Sequence, residues 1–343
     1  MKNLNPEIQK ILENAMNNIA PTKADCVRLL EPSEYSLEAS LTRGVADHLS
    51  RKRFGNHAML LGQIGIETFP CPANCKFCVF GEEHTRFPKT SMESEQILDS
   101  ARSFTADGRL YALFLMLMHT YDLKQLESIV SLVRKSIPES TKIVLNIGDF
   151  DLDMAKHLAS LGVSGMYHVQ RLREGADTNL DPKHRVQTIR AIKDAGLDWY
   201  YCCEPVGPEH TTEELVEQIF LGLEYECFQH AAMRRVSFPG SPLAARGEIS
   251  ELRLAQIVAV VYLAMIANLN LQAIAVHEPN ALGLVSGANS VYAESGANPR
   301  DTTEETAAGR GRDTTACCQM FAETGFQAVY NAQEILFPLK QVS

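Results

Sequence analysis

The sequence lacks several features that mark other classes of protein. It contains no run of eighteen or more apolar residues, so no segment is long enough to cross a bilayer as a helix. Lys and Arg number 32 against 42 Asp and Glu, and the net charge of -10 argues against a general nucleic-acid partner, which needs a basic face. Nothing near the first residue reads as a secretory signal, so we expect a cytoplasmic protein with reduced thiols.

Cysteine, in contrast, is plentiful for a protein of the cytoplasm. There are nine cysteines, and three of them lie within residues 71–78, which read CPANCKFC. Thiolates hold iron–sulfur clusters, and three of them without a fourth nearby leave one iron of a four-iron cluster without a protein ligand. The spacing therefore predicts a cluster whose open iron binds a small molecule.

Other interpretations of the three thiols stay open from the residues alone. Cysteines also serve as small buried hydrophobic residues or as halves of disulfides, although an odd total excludes complete pairing. Zinc is a further candidate, with His84 as a fourth ligand, but zinc sites usually draw their ligands from two pairs. No second Cys-x-x-Cys pair follows the loop, which makes zinc the weaker interpretation.

The hydrophobic pattern predicts a helical preface and then an alternation of strands and helices. Helical periodicity extends over 5–53, and 57–67 reads as a strand that leads into the cysteine loop. Seven further short apolar strands are predicted at 110–118, 142–147, 165–169, 199–203, 233–238, 271–277 and 290–293. Helices are predicted between them at 92–105, 123–136, 152–161, 184–195, 212–223 and 252–267.

Eight strand–helix units of this kind predict a closed (β/α)8 TIM-type barrel, an α/β fold with its chemistry at the carboxyl ends of the strands. We expect an N-terminal helical extension at 1–55, the barrel at 56–330 and a tail at 331–343. The segment 294–318, which includes Gly309-Arg310-Gly311-Arg312, is expected to be a loop or a short extra helix.

The cysteine motif, with Phe77 just before its last thiol, resembles the signature of the radical S-adenosylmethionine (SAM) enzymes. Three later segments narrow the resemblance: HRVQTIRAIKDAGL at 184–197, RRVSFPGSPLA at 234–244 and SGANS at 286–290. They are similar to a subgroup that contains biotin synthase, 2-iminoacetate synthase, methylornithine synthase and the radical SAM hydrogenase maturases. The region from about 230 to 325 resembles the part of that subgroup called biotin and thiamin synthesis associated.

The resemblance implies a [4Fe-4S] cluster held by Cys71, Cys75 and Cys78, with SAM at its open iron. In this family one electron from the cluster breaks a carbon–sulfur bond of SAM, and the 5′-deoxyadenosyl radical then removes a hydrogen atom from a substrate. A low-potential electron donor such as flavodoxin or ferredoxin is the implied partner. We therefore expect hydrogen abstraction from a small polar substrate in cofactor or metabolite biosynthesis.

Further residues match family positions that contact SAM. Arg185 aligns with the arginine that binds the SAM carboxylate, a task for which the guanidinium fork is suited, although it could instead be an exposed helix residue. Phe77 matches the aromatic residue near the adenine. Gln170, Arg171 and Glu174 occupy the stretch after the fourth strand where SAM-ribose and substrate contacts lie, but Glu174 could also form a surface ion pair with the arginine before it.

The sequence departs from biotin synthase at several positions. The second strand ends in Leu117-Met118-His119-Thr120 where the subgroup has a short Gly-Gly-Glu-like turn that meets the SAM amino group, so backbone carbonyls are expected to serve there. Positions that hold a second, two-iron cluster in biotin synthase carry Asn146 and Ala275, and Cys202 and Cys203 lie out of register with it. Sulfur insertion by that route is therefore not expected.

The predicted substrate side of the barrel mouth is polar. Glu204 ends the fifth strand, where a carboxylate favours a catalytic or substrate-binding role. His277 and Glu278 end the seventh strand, and such a pair can donate protons or clamp a substrate. Because adjacent strand residues face opposite sides, at most one of Cys202 and Cys203 faces the cavity, and Cys203 is the predicted catalytic residue.

Some alternatives stay open at this point. Cys317 and Cys318 are predicted to pack in the core, with a second cluster or a radical acceptor as alternatives. For the whole protein, the alternatives to a radical SAM enzyme are an iron–sulfur scaffold or maturation protein for another metalloenzyme, and a zinc-stabilised barrel with hydrolytic chemistry.

Overall fold

The computed structural model describes residues 4–85, 88–299 and 312–340. Its N-terminal part is helical, as expected, with α1 (Pro6–Met16), α2 (Lys23–Leu30) and α3 (Leu37–Arg53). At each start a side-chain oxygen accepts a main-chain N–H of the first turn, and these caps are Asn5, Thr22 and Ser36. No helix of the described residues is long and apolar enough to cross a membrane.

Eight parallel strand positions close into a barrel, which confirms the predicted (β/α)8 fold. In chain order the strands of the described residues are β1 (His57–Gly65), β2 (Glu67–Thr68), β3 (Thr90–Ser91), β4 (Ala112–Met116), β5 (Lys142–Asn146), β6 (Gly165–Tyr167), β7 (Asp198–Tyr200), β8 (Cys203–Val206), β9 (Gln229–Arg234), β10 (Ala273–His277), β11 (Ser290–Gly296), β12 (Ala328–Tyr330) and β13 (Leu336–Pro338). Strands β2 and β3 form a separate hairpin, β12 and β13 extend the sheet beside the start of β1, and β7 and β8 together form the fifth barrel strand. The ring closes where β11 pairs with β1 along the whole length of β11.

Helices alternate with the barrel strands and cover the outside of the barrel. Those after α3 are α4 (Ser94–Thr105), α5 (Leu123–Ser136), α6 (Leu152–Ser160), α7 (Pro182–Asp194), α8 (Thr212–Glu224), α9 (Glu251–Ala264), α10 (Ala281–Leu284) and α11 (Thr314–Glu323). Helix α9 is buried along nearly its whole length because α2 and α3 pack over it, and its Gln256 amide donates to the carbonyl of Leu29 at 3.0 Å. The N-terminal extension therefore covers one side of the barrel.

The barrel interior is a packed aromatic and aliphatic core beneath the strand ends. Strand β4 is buried at every position, as expected of a parallel strand covered on both faces. From it Phe114 contacts Tyr200 and Tyr292 edge to face, with ring centroids 5.0 and 4.9 Å apart. The barrel is therefore filled below its carboxyl end, where the cavity described below begins.

One predicted strand is misplaced. The sequence favoured 233–238, but β9 covers Gln229–Arg234, and the following segment crosses the barrel mouth, where Phe238 packs with the cysteine loop. The reason is that β9 begins with two polar residues that are nonetheless fully buried, Gln229 and His230. Gln229 accepts a hydrogen bond from the Tyr292 hydroxyl at 2.9 Å, and this interior pairing is invisible to a hydrophobic pattern.

The segment 294–318, predicted to be a loop or a short extra helix, ends in a helix. Helix α11 begins at Thr314 inside that segment and continues to Glu323, whereas residues 300–311, with Gly309 and Arg310, lie outside the described residues. Cys317 and Cys318 are both buried on α11 in the main hydrophobic core. Their placement agrees with the prediction that they pack.

Candidate functional site

A cavity lies at the carboxyl ends of the barrel strands, and side chains from nearly every strand position line it. One side is formed by the cysteine loop after β1 together with the ends of β4, β5 and β6. The other side is formed by residues at the ends of β8, β9, β10 and β11. The predicted location of the site at this end of the barrel agrees with where the cavity lies.

The cysteine loop places all three motif thiols on the cavity wall. Cys71, Cys75 and Cys78 each line the cavity. The loop is closed by its own backbone, since the Cys71 N–H donates to the carbonyl of Phe80 at 2.7 Å. It is also tied to the segment after β6, where the Lys76 N–H donates to the Asp177 carbonyl at 3.0 Å. These contacts fix the three thiols relative to the barrel.

The thiols lie in a dry environment that disfavours free thiolates. Burial raises the pKa of Cys75 to about 12 and raises the pKa of Cys78 as well. Burial also raises the pKa of Cys71, although hydrogen bonds from the backbone at Ala73 and His119 oppose that change. Deprotonation must therefore be driven by a metal that binds the sulfurs, and binding would release protons.

The three motif thiols are the type of ligand that holds an iron–sulfur cluster. Within the described ranges, no three His, Cys, Asp or Glu side chains form a group that could hold one metal ion. A four-iron cluster is larger, and its ligands surround it instead of converging on one point. Three thiols on the wall of one cavity, with open space on their inner side, match such a cluster with one iron free.

Arg185 is buried, and the alternative of an exposed helix residue is wrong. Its exposed fraction is 3%, and it lines the cavity from α7. Its Nε and Nη2 donate to the carbonyl of Val169 at 3.1 and 2.9 Å, and its Nη1 donates to Asp149 at 2.8 Å. These bonds fix the plane of the guanidinium without using all five of its N–H groups. A carboxylate in the cavity could therefore accept hydrogen bonds from a guanidinium group whose orientation is already fixed.

Asp149 was not singled out from the sequence, although it follows β5 at the functional end of the barrel. Besides Arg185 it contacts His168, whose Nε2 lies 3.2 Å from the Asp149 carboxylate. Hydrogen bonding to His168 and the charge of Arg185 outweigh burial and hold the pKa of Asp149 well below its usual range. Burial lowers the pKa of His168 to about 3, so this histidine is neutral at physiological pH.

Arg171 joins the two sides of the cavity. Its guanidinium carbon lies 6.0 Å from the ring centroid of Phe77, and its Nε lies 3.4 Å from the carboxylate of Glu204. Burial disfavours its charge, but Glu174 and Glu204 outweigh that effect and raise its pKa. Arg171 and Phe77 both line the cavity. A cation–π contact at this distance keeps the arginine beside the cysteine loop.

Glu174 supports the arginines from behind. It is buried, and its carboxylate accepts the main-chain N–H of Arg171 at 2.9 Å. The carboxylate also lies 3.7 Å from the Nε of Arg185. The alternative of a surface ion pair with Arg173 is wrong, because Arg173 instead donates to Glu214 at 2.8 Å. Gln170 was expected to contact SAM, but as far as the described residues define the cavity, Gln170 lies outside its lining.

The substrate side centres on Glu204, which is 3% exposed and lines the cavity. Tyr167, another residue that sequence reasoning missed, donates its hydroxyl to Glu204 Oε2 at 2.6 Å. Cys202 lies beside both groups, and burial raises the pKa of its thiol. The predicted catalytic role of Cys203 is wrong, because its thiol points away from the cavity. The thiol lies 4.0 Å from the carbonyl of Leu215 on α8, outside the barrel.

The two predicted residues at the end of β10 have separate surroundings. His277 lines the cavity and stacks on Tyr292, with ring centroids 4.5 Å apart. Glu278 instead accepts from the Nε of Arg234 at 2.9 Å, and Arg234 is the partner that lines the cavity. Glu278 therefore acts on the cavity through Arg234. The ion pair could not be read from the sequence because the predicted strand containing Arg234 was misplaced.

Comparisons with known proteins agree with the barrel fold and with a likeness to biotin synthases. No family model matches the chain. The chain is 24% identical over 253 residues to the biotin synthase of Anaplasma marginale, a match that covers 69% of this chain and 76% of that protein. It is 26% identical over 188 residues to the biotin synthase of Carboxydothermus hydrogenoformans, covering 51% of this chain and 57% of that protein.

Two solved structures share the fold. Methylornithine synthase superposes with a TM-score of 0.76 at 16% identity, covering 91% of this chain and 95% of that one. The FeFe-hydrogenase maturase HydG from Carboxydothermus hydrogenoformans also gives a TM-score of 0.76 at 16% identity, covering 96% and 81%. At this identity the structures establish the barrel fold, while the sequence matches are to biotin synthases. The chain therefore resembles the radical SAM subgroup of biotin synthase, methylornithine synthase and the radical SAM hydrogenase maturases.

Proposed function

We propose that this protein is a radical SAM enzyme that abstracts hydrogen from a small polar substrate in cofactor or metabolite biosynthesis. The observation that carries the proposal is the meeting of three thiols, the buried Arg185 and the partly exposed Arg171 in one cavity at the carboxyl end of the barrel. Cys71, Cys75 and Cys78 would hold a [4Fe-4S] cluster. When bound, that cluster supplies the electron that cleaves SAM reductively to methionine and a 5′-deoxyadenosyl radical.

Arg185 and Arg171 bind and orient the SAM carboxylate in this proposal. Asp149, Glu174 and the Val169 carbonyl hold the guanidinium groups in place before SAM arrives. Preorganised charge of this kind costs little rearrangement on binding, and a charge-assisted contact in a buried site is stronger than one in water. The segment after β9 covers the cysteine loop, where the Ser241 hydroxyl donates to the Lys76 carbonyl at 3.0 Å. This cover limits the access of water to a reactive radical.

The substrate is bound in this proposal by Glu204, Tyr167 and His277. Tyr167 occupies one oxygen of the Glu204 carboxylate and Arg171 approaches the other, so the carboxylate is oriented but keeps acceptor capacity for a substrate N–H or O–H. His277 is aligned by its stack on Tyr292 and presents an imidazole to the same space. These groups bind the substrate and hold or move a proton at the Glu204 oxygens or the imidazole.

The proposed substrate of this protein differs from that of biotin synthase. Where biotin synthase places ligands of its two-iron cluster, this cavity presents Asn146, and Ala275 is a buried residue of β10. Cys203 faces α8, so it cannot contribute a thiol to the cavity. Neither Asn146 nor Ala275 offers a thiolate or guanidinium. The donors needed for that second cluster are therefore missing from these positions.

Anaerobic reconstitution tests the proposal. We expect about four iron and four sulfide per chain, together with methionine and 5′-deoxyadenosine when SAM and a strong one-electron reductant are added. A reconstituted cluster that never cleaves SAM, combined with transfer of that cluster to an apo-metalloprotein, would identify a scaffold or maturation protein instead. One zinc and no iron in protein purified without oxygen would contradict both functions.

A further inference from the structure

Glu67 is a buried acid that the proposed mechanism has not used. It lies on β2, between the end of β1 and the cysteine loop, and its exposed fraction is 8%. Its Oε1 accepts the main-chain N–H of Met118 at 3.1 Å, across 51 residues of sequence. Burial raises the pKa of this carboxyl, while the bond from Met118 opposes that change. Burying a carboxyl group costs free energy unless a specific contact compensates for it, so the role of this contact needs an explanation.

The segment that Glu67 holds is the turn after β4, residues 117–120. Its start is fixed by the ladder, because the Leu117 N–H donates to the Asn146 carbonyl at 3.0 Å. Further along the turn, the carbonyl oxygen of His119 lies against Gly148. It is so close that a Cβ atom at this glycine would collide with it. Glu67 supplies the remaining anchor. The turn is thus held from the β1 side by a carboxylate and from the β5 side by close backbone contact.

This turn faces the three thiols. Leu117, Met118 and His119 all line the cavity, and Met118 packs in the same hydrophobic cluster as Cys71 and Cys75. The main chain at His119 lies close enough to the Cys71 sulfur to oppose the rise in the pKa of that thiol. A shift of the turn would therefore change both the shape of the cavity next to the thiols and the surroundings of one thiol.

We propose that Glu67 is a positioning residue that sets the Met118–His119 backbone against Cys71 and so controls both the reduction potential of the cluster and the affinity for SAM. Hydrogen bonds to ligand sulfurs are among the factors that set the potential of an iron–sulfur cluster, and partners one shell away from a metal orient its ligands. The inference rests on the proposed function, because it assumes that Cys71 holds a cluster.

Two conservative variants separate the contact from the charge. Glu67→Gln keeps the length and an oxygen acceptor for the Met118 N–H, whereas Glu67→Asp keeps the charge but is one methylene too short to reach it. We expect Glu67→Asp to weaken SAM binding about tenfold, because the turn loses the partner of its Met118 N–H and must be ordered again when SAM binds. It should also shift the electron paramagnetic resonance spectrum and the midpoint potential of the cluster measured without SAM. Glu67→Gln should stay within about twofold of wild type in SAM affinity, with an unchanged spectrum.

Thr68→Val is the matched control, because Thr68 belongs to the same hairpin and bonds to Thr90 at 2.7 Å without touching the turn. It should leave both readouts unchanged. The inference is overturned if Glu67→Asp matches wild type, if Glu67→Gln shows the loss and Glu67→Asp does not, or if Thr68→Val reproduces the effect. Failure of the wild-type protein to assemble any cluster would instead refute the proposed function, so the two failures are distinguishable.

Discussion

The two sides of the cavity differ in how they are built. On the cofactor side, one continuous motif supplies all three thiols, and the arginines behind it are locked by Asp149, Glu174 and a backbone carbonyl. On the substrate side, Glu204, His277 and Arg234 come from three different strand ends, and each is oriented by a separate neighbour. In the proposed function, a fixed half that holds the cluster and SAM is joined through Arg171 to a half whose residues can be altered one at a time.

The largest effect expected from this comparison is loss of the cluster in Cys75→Ser. A serine hydroxyl is a poor ligand for iron where a thiolate is required, so we expect iron content to fall below about one per chain and SAM cleavage to be lost. Cys203→Ser is the matched control, because Cys203 is also buried but faces α8. Metal analysis after anaerobic reconstitution measures both. If the two variants bound equal amounts of iron, Cys75 would be no more a cluster ligand than Cys203.

The next effect concerns Arg185 on the cofactor side. Arg185→Gln removes a buried charge, and we expect SAM binding to weaken about 10- to 100-fold, since hydrogen bonds to charged groups contribute about 1.5–3 kcal/mol. Arg190→Gln, on the same helix, alters an exposed arginine that donates to Tyr225 at 3.2 Å and should bind SAM within about twofold of wild type. Isothermal calorimetry on the reconstituted protein measures both. If the two variants bind SAM equally well, Arg185 has no role in holding it.

A smaller effect is the acid sensitivity of the cofactor side. The pKa of His168 is lowered to about 3 in the folded protein from 6.5, so between these values the unfolded chain binds one more proton at this site. Stability should therefore fall as the pH drops below about 6.5, by up to about 1.4 kcal/mol per pH unit for this group. The buried His230, with its pKa lowered to about 4, acts in the same direction.

Urea unfolding at several pH values checks this dependence. His168→Asn should reduce the slope of the unfolding free energy between pH 4 and 6 by about one proton. An unaltered slope in His168→Asn would mean that His168 is not buried in its neutral form.

The smallest effect is expected for Glu204→Gln. The amide keeps the shape of the carboxylate, and its oxygen can accept from Arg171 while its NH2 group donates to the Tyr167 hydroxyl oxygen, so the cofactor side should change little. We expect full cluster content and a rate of SAM cleavage, without substrate, within about threefold of wild type. Quantifying 5′-deoxyadenosine by chromatography measures that rate. Loss of the cluster or of cleavage would show that the two sides are not independent.

The position of the three thiols at the carboxyl end of the barrel could be predicted because the motif is local in sequence. The three thiols are close in sequence, and the alternation of apolar segments predicts a barrel whose first loop carries them. Arg185 could be proposed from the resemblance, but its burial depends on Asp149 and on the Val169 carbonyl, which reach it only through the folded barrel.

The substrate side was predicted less completely because its contacts join distant segments. The bond from Tyr167 to Glu204 spans 37 residues, and the ion pair of Arg234 with Glu278 spans 44. The orientation of Cys203 depended on how the fifth strand divides into β7 and β8, which strand alternation alone does not give. The buried polar residues of β9 shifted that strand from the position its hydrophobic pattern favoured.

A crystal structure of the anaerobically reconstituted protein with SAM tests the central claim most directly. The account predicts a four-iron cluster on Cys71, Cys75 and Cys78, with the SAM carboxylate within hydrogen-bonding distance of Arg185 or Arg171 and the remaining space bordered by Glu204 and His277. A single zinc ion on the three thiols, or SAM bound away from both arginines, would contradict it.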